Sequence, residues 1–207
     1  MIINTEWAEF DNERTILPIT QYDFQLDTET NSPGESIFEK LISGMYLSEI
    51  ARLVLADLHD QGVIFGDFNG EIISLIVADT TPDHTVVAQT LADFLGVPAA
   101  TISADDLTAV QTICSLVGTR AARLSAVGMA AIFRRRPGLL EKGQGSTMAV
   151  DGSLFENYPG WVETMEETLK DLLGEEKAGN IRFRLVKDGS GVRGAIVAML
   201  AAQQQLL

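Results

Sequence analysis

The sequence runs to 207 residues, enough for one domain or two small lobes with a buried core, and its 46% hydrophobic and 21% charged residues are the balance of a folded chain, which excludes disorder. Fifteen basic against twenty-nine acidic side chains give a formal charge of −14, which opposes nucleic acid and anionic membrane surfaces, both bound chiefly by Lys and Arg neutralising phosphate. Two separated histidines and a single cysteine supply neither the ligand spacing of a transition-metal site nor an internal disulfide, so a reducing, cytoplasmic setting is expected.

Along the chain, Ile2-Ile3-Asn4-Thr5 reads as a strand end that begins abruptly, as the continuation of something longer. Residues 8–18 read as a polar loop, 21–28 as a short helix, and Asn31-Ser32-Pro33-Gly34 as a turn. Phe38, Leu41 and Ile42 form one amphipathic piece interrupted at Gly44. From Tyr46 to Leu58 the apolar residues recur every three or four positions, up to a helix stop at Gly62. Residues 72–77 fit a strand or a buried helix turn equally. A helix is predicted over 84–95, closed by Gly96 and Pro98.

Ser103-Ala104-Asp105-Asp106 resembles a capping box and opens the longest predicted helix, to about Arg136. Its second half turns to Ala, Ser and Gly, small residues that let another group approach closely. Met148-Ala149-Val150 reads as a buried strand ending at Asp151-Gly152-Ser153, residues 161–173 as an amphipathic helix, and 181–186 as a second strand. Asp188-Gly189-Ser190-Gly191 is then a second glycine turn, opening a buried helix over 192–203. Strand, turn and helix recurring in that order predict an α/β architecture for the later half. The apolar stretches around 53–55 and 196–202 are too short or interrupted to span a bilayer, and no secretory leader is expected.

Several groups carry candidate chemistry. Glu6 and Glu39 each sit beside an aromatic residue at the edge of an apolar segment. A carboxylate so placed needs a polar partner, and the vicinal hydroxyls of a sugar would serve, since an ionised carboxylate only accepts hydrogen bonds; the alternative is two ordinary surface carboxylates. The turns at Asp151-Gly152-Ser153 and Asp188-Gly189-Ser190-Gly191 are either tight corners or places where backbone N–H groups meet phosphate at a strand end. Gly118-Thr119-Arg120-Ala121-Ala122-Arg123 reads alone as ordinary helix with two solvated arginines; beside a nucleotide, the Thr119 hydroxyl would touch a phosphate oxygen. Cys114, on an apolar helical face, reads as packing.

Taken together, these segments resemble the hexokinase family through nearly the whole chain. The resemblance runs in order through Ile3-Asn4-Thr5-Glu6-Trp7, Gln21-Tyr22-Asp23, Pro33-Gly34 through Phe38-Glu39-Lys40, Ser43-Gly44-Met45-Tyr46-Leu47 on to Leu55, Thr119-Arg120-Ala121-Ala122-Arg123-Leu124-Ser125-Ala126, Val150-Asp151-Gly152-Ser153-Leu154 and Asp188-Gly189-Ser190-Gly191. It implies an α/β chain, 1–207, that forms the C-terminal part of the large lobe of a hexokinase, with the actin-like, ribonuclease-H-like ATPase fold. By the same resemblance Glu6 and Glu39 hold glucose hydroxyls. Gly44, Thr119, Gly189, Ser190 and Gly191 line ATP, delivered with Mg²⁺, and Asp151, Gly152 and Ser153 lie close to the same cleft.

The implied activity is phosphorylation of a hexose at its 6-hydroxyl, the first step of glycolysis. The general-base aspartate, the lysine segment and the first phosphate-binding turn of the family have no counterpart in this sequence, so the chain carries no catalytic residue. The expectation is an inactive isolated chain that self-associates or pairs with a complementary N-terminal half. The alternatives are a sugar- or nucleotide-binding module without catalysis, or a phosphatase or ATPase sharing the fold. Ala8 replaces a usual glycine, Ser36 a glutamine that commonly helps bind sugar, and Arg193 a small residue.

Overall fold

In the computed structural model, which describes residues 7–58, 70–141 and 145–187, nine helices and a parallel strand pair follow in chain order. They are α1 (Gln21–Glu29), α2 (Ile37–Ile42), α3 (Gly44–Leu58), α4 (Gly70–Ala78), α5 (Thr85–Leu95), α6 (Ala104–Arg135), β1 (Ser146–Val150), α7 (Ser153–Asn157), α8 (Trp161–Leu173), α9 (Glu175–Ala178) and β2 (Ile181–Leu185). The expected strand at 2–5, the helix stop at Gly62, the turn at 188–191 and the helix over 192–203 lie outside the described residues.

The axis of the fold is α6. Ser103 starts it by accepting the Asp106 N–H (3.1 Å), while the Asp106 carboxylate takes the Ser103 hydroxyl (2.6 Å). Asp105 and Asp106 occupy its first turn and Arg134 and Arg135 its last, each sign facing the favourable end of the helix dipole. At 32 residues it is long and apolar enough, by length and composition, to cross a bilayer. Here its apolar side is covered along its length: Leu107, Val110, Cys114, Val117, Ala121, Ala126, Met129 and Phe133 are buried, chiefly against α3 and α8. Burial pushes the Cys114 thiol up to about 12, as expected of a packing cysteine.

The small residues of α6 admit side chains. At Gly118 an added Cβ would overlap the Tyr158 ring and hydroxyl, and at Gly128 the Trp7 ring. Tyr158 is locked in place by donating to the Cys114 carbonyl (3.1 Å) and by packing edge-on against Trp161, at 5.5 Å between ring centroids.

The ambiguous stretch 72–77 is helical. Ile73 and Ile76, three apart, are fully buried while Leu75 is half exposed; a strand would have placed 73 and 75 on one face. Among the described residues a completed capping box is at α1, where Asp23 accepts the Thr20 N–H (2.8 Å) and the Thr20 hydroxyl accepts the Asp23 N–H. His84 is the residue before α5, in the left-handed conformation, so that helix starts one residue later than predicted. In α8, Trp161, Met165 and Leu169 recur every fourth residue and are buried, each contributing about 1.5–3 kcal/mol of gross burial.

β1 and β2 pair parallel, Ser146 opposite Ile181 through Val150 opposite Leu185, with α7, α8 and α9 in the crossover that parallel pairing requires. Met148–Val150 is not the buried strand expected. Both strands alternate half-buried and exposed residues, because one face takes the cover, including Phe155 against Phe183 at 5.8 Å.

The loop after Trp7 folds around Asp11, which is buried and accepts the N–H groups of Thr15, Ile16 and Leu17 and the Thr15 hydroxyl, all within 2.7–3.0 Å. Burial raises its pKa, but these donors together outweigh it and bring the carboxyl down to about 2. A folded-state pKa below the unfolded value of about 3.9 contributes stability that is present above pH ~4 and lost as pH falls towards ~2. Urea unfolding midpoints are therefore expected to fall over that interval, and less so in Asp11→Asn; equal acid sensitivity in the two proteins would refute the assignment.

Candidate active site

A cavity of about 710 Å³ opens where three parts of the chain meet: the α2–α3 junction, helix α6, and the corner between β1 and α7. From the first come Glu39, Ser43, Gly44 and Met45; from α6, in its second half, Ser125 and Met129; from the third, Asp151, Gly152 and Ser153. Trp7 and Trp161, the two tryptophans of the chain, also line the wall.

Glu39 projects from α2, whose six residues are too few to hold a helix unaided. Ser36, before it, is left-handed (φ 50°) and caps nothing; its hydroxyl donates instead to Glu9 (2.6 Å), while Asn12 accepts the Ile37 N–H (3.2 Å). The Ser36 hydroxyl, with Asn12 and the Ser36 N–H, holds the Glu9 carboxyl below its ordinary range. On the inner face Phe38 is buried between Trp7 and Phe10, at 6.4 and 6.1 Å between ring centroids. Lys40 also turns inward and is only 3% exposed. Its ammonium donates to Asp27 and to the Ser32 carbonyl, both at 2.7 Å. Asp27, equally buried, also takes the Gly34 N–H (3.0 Å) and the Arg14 guanidinium. Burial works against ionisation of Asp27, but Lys40, Gly34 and Arg14 together hold its carboxyl below the usual range.

Glu39 is left on the outer face. It is exposed, which corrects the expectation of a poorly solvated carboxylate: the neighbouring Phe38 points away into the core, so water reaches Glu39 across the cavity mouth.

Gly44 begins α3. Tyr46 and Leu47 bond back to the Ser43 carbonyl (2.9 and 3.2 Å), and the first N–H groups of a helix have no acceptor within it. A Cβ at Gly44 would stand 3.2 Å from Leu154, tighter than ordinary contact, so this helix start lies close against α7. Across the cavity, Asp151, Gly152 and Ser153 are all exposed. Gly152 has ordinary extended backbone (φ 160°) and nothing within 4 Å of an added Cβ, so the corner is open.

Among the described residues the cavity wall carries two carboxylates, Glu39 and Asp151, and no Lys, Arg or His. No group of three or more potential metal ligands occurs among those residues.

The structure thus brings Glu39, Gly44, Asp151, Gly152 and Ser153 to one cavity. Thr119 is not among its lining residues. It lies in mid-α6, and six residues at roughly 100° each turn it about 120° away from Ser125. Arg120, read as solvated, instead pairs with Asp23 through two bonds (2.8 and 2.7 Å), because α1 lies within reach of that face. Glu6, Gly189, Ser190 and Gly191 lie outside the described residues. Ser43, Ser125 and Met129 were not among the expected site residues, although Ser43 and Ser125 lie in segments that resemble the family and Ser125 also falls in the small-residue half of α6.

An open glycine corner at the end of a parallel strand, facing a helix start and an exposed glutamate, defines a ligand cleft of the α/β kind. The hexokinase family model matches residues 1–200. Hexokinase-7 of Oryza sativa subsp. japonica is 41% identical across 100% of this chain and 46% of its own length. Glucokinase of Aspergillus niger is 38% identical across 99% and 46%. Among solved structures, a hexokinase superposes with a TM-score of 0.78 at 29% identity, covering 90% of this chain and 41% of that one. The hexokinase from Schistosoma mansoni complexed with glucose gives 0.73 at 31%, covering 89% and 42%. The chain belongs to the hexokinase family, and its fold is that of part of the large lobe, of the actin-like ATPase type. It spans less than half the length of these relatives.

Proposed function

We propose that residues 1–207 act as the large-lobe domain of an ATP-dependent hexose kinase, phosphorylating a glucose-type sugar at its 6-hydroxyl in the cytoplasm as the first step of glycolysis. One observation carries the reading: a single cavity gathers Glu39, Gly44 and the Asp151–Ser153 corner, residues that the family resemblance assigns to sugar and nucleotide. Glu39, exposed and acceptor-only when ionised, suits a pair of sugar hydroxyls, with Glu6 as the proposed second carboxylate. The S. mansoni relative was solved with glucose, which supports the same sugar class here.

On the nucleotide side the donors fit phosphate: the start of α3 at Gly44 and the hydroxyls of Ser43 and Ser153. Thr119, Gly189, Ser190 and Gly191 are proposed to join them. Two carboxylates and no cation on the described wall would oppose a bare triphosphate, so the nucleotide is proposed to arrive as its Mg²⁺ complex. When bound, the ion supplies charge neutralisation on the phosphate oxygens. The residues of this chain bind and orient; proton removal from the sugar hydroxyl falls to a complementary N-terminal half, on the same polypeptide or a second one.

Two measurements test the reading. Calorimetric titration with glucose is expected to detect binding that Glu39→Ala removes; binding unaffected by that change would refute the sugar assignment. A coupled ATP-dependent assay is expected to show no turnover for the 207-residue chain alone, and turnover on adding the N-terminal half of a family member. Turnover by the chain alone within the usual ~1–100 per second of kinases would overturn the division of labour. Glucose binding without turnover under any complementation would favour a non-catalytic sugar-binding module.

A further inference from the structure

We infer that Lys40 is a positioning residue for the sugar site: its buried ammonium, held between Asp27 and the Ser32 carbonyl, sets the rotation of α2 and hence the direction of Glu39. The inference rests on the proposed role of Glu39 as the sugar-binding carboxylate. Neighbouring residues of a helix point about 100° apart, so fixing Lys40 inside directs Glu39 outward over the cavity. Apolar contacts made by Phe38 and Leu41 are non-directional and tolerate some rolling of so short a helix. An ammonium bound to two acceptors, both at 2.7 Å, does not.

The same hub joins four separate segments. Asp27 belongs to α1, Ser32 and Gly34 to the following turn, Arg14 to the loop after Trp7, and Lys40 to α2. Trp7 and Glu39 both line the cavity, so the hub registers two pieces of its wall against each other. A well-packed apolar pair of similar volume is often as stable as a buried ion pair. What the Lys40–Asp27 pair adds is a fixed geometry.

The test separates positioning from stability. Glucose affinity is measured by calorimetry on the 207-residue chain and on Lys40→Met, each with a urea midpoint to establish that it is folded. The double change Asp27→Asn/Lys40→Met removes both charges of the fully buried pair, leaving Arg14, whose side chain is 28% exposed, within reach of water, and carries the same test where Lys40→Met alone does not fold. Positioning predicts that a folded variant retaining Glu39 binds glucose at least about tenfold more weakly. A residue that only stabilised the fold would shift the midpoint and leave the Kd of folded protein unchanged. A Kd weakened by less than that factor in a folded variant overturns the inference, as does unfolding of both variants, which assigns Lys40 to stability. Absence of glucose binding in the unchanged chain overturns the sugar reading itself, and this inference with it.

Discussion

Gly118→Ala is expected to lower the unfolding free energy by about 3 kcal/mol, near the upper end for overpacking. The new Cβ would occupy the space of the Tyr158 ring, and Tyr158 cannot simply swing aside. It is 7% exposed, bonded to the Cys114 carbonyl, and wedged against Trp161. Moving it breaks that bond, at about 1 kcal/mol, and separates α7 and α8 from α6. For a chain of this size the melting temperature should drop by roughly 6–12 °C. Gly152→Ala is the control: with open space around the Cβ position and extended backbone, its effect should stay within about 0.5 kcal/mol. Urea denaturation of the two variants decides the matter, and a Gly118→Ala loss no larger than the control's would mean that Tyr158 is free to move.

Arg120→Leu should cost about 2 kcal/mol. Removing one partner of a buried ion pair typically costs ~3–5 kcal/mol because the other charge is left alone; the Arg120 side chain is 24% exposed, whereas Asp23 is 3% exposed, so water offsets part of that loss. Asp23 is doubly committed, to Arg120 and to the capping box of α1, so Asp23→Asn should also fray α1. A double-mutant cycle between the two is expected to show coupling of about 1–3 kcal/mol. Purely additive effects would show that the pair does not hold α1 to α6.

What could be seen in advance followed the range of the signal. The helix over 161–173 was legible because apolar residues recur every fourth position between Gly160 and Gly174, both of which flank it in the structure. Residues 72–77 were undecidable since a short apolar run fits either period; the decision came from α3, α5 and α6, the helices that pack against it. The Asp27–Lys40 pair, 13 residues apart, and Asp23–Arg120, 97 apart, leave no local mark in the sequence. The cavity residues Glu39, Gly44 and Asp151–Ser153 were identified by their resemblance to a family. Gly118, beside Thr119, gave no hint in sequence that its missing side chain makes room for Tyr158.

The seats at Gly118 and Gly128 have a consequence for how this molecule can vary. Ten residues of α6 separate them, roughly 15 Å of helix, and the occupants come from either side of that helix in sequence, Trp7 from before α1 and Tyr158 from the end of α7. That helix therefore works as a ruler with two notches. A single residue inserted between them would swing one notch by about 100° relative to the other, unseating either the aromatic that packs on Phe38 or the one that closes α7. Descendants of this sequence can lengthen their surface loops freely, but the count between those two glycines has to stay fixed.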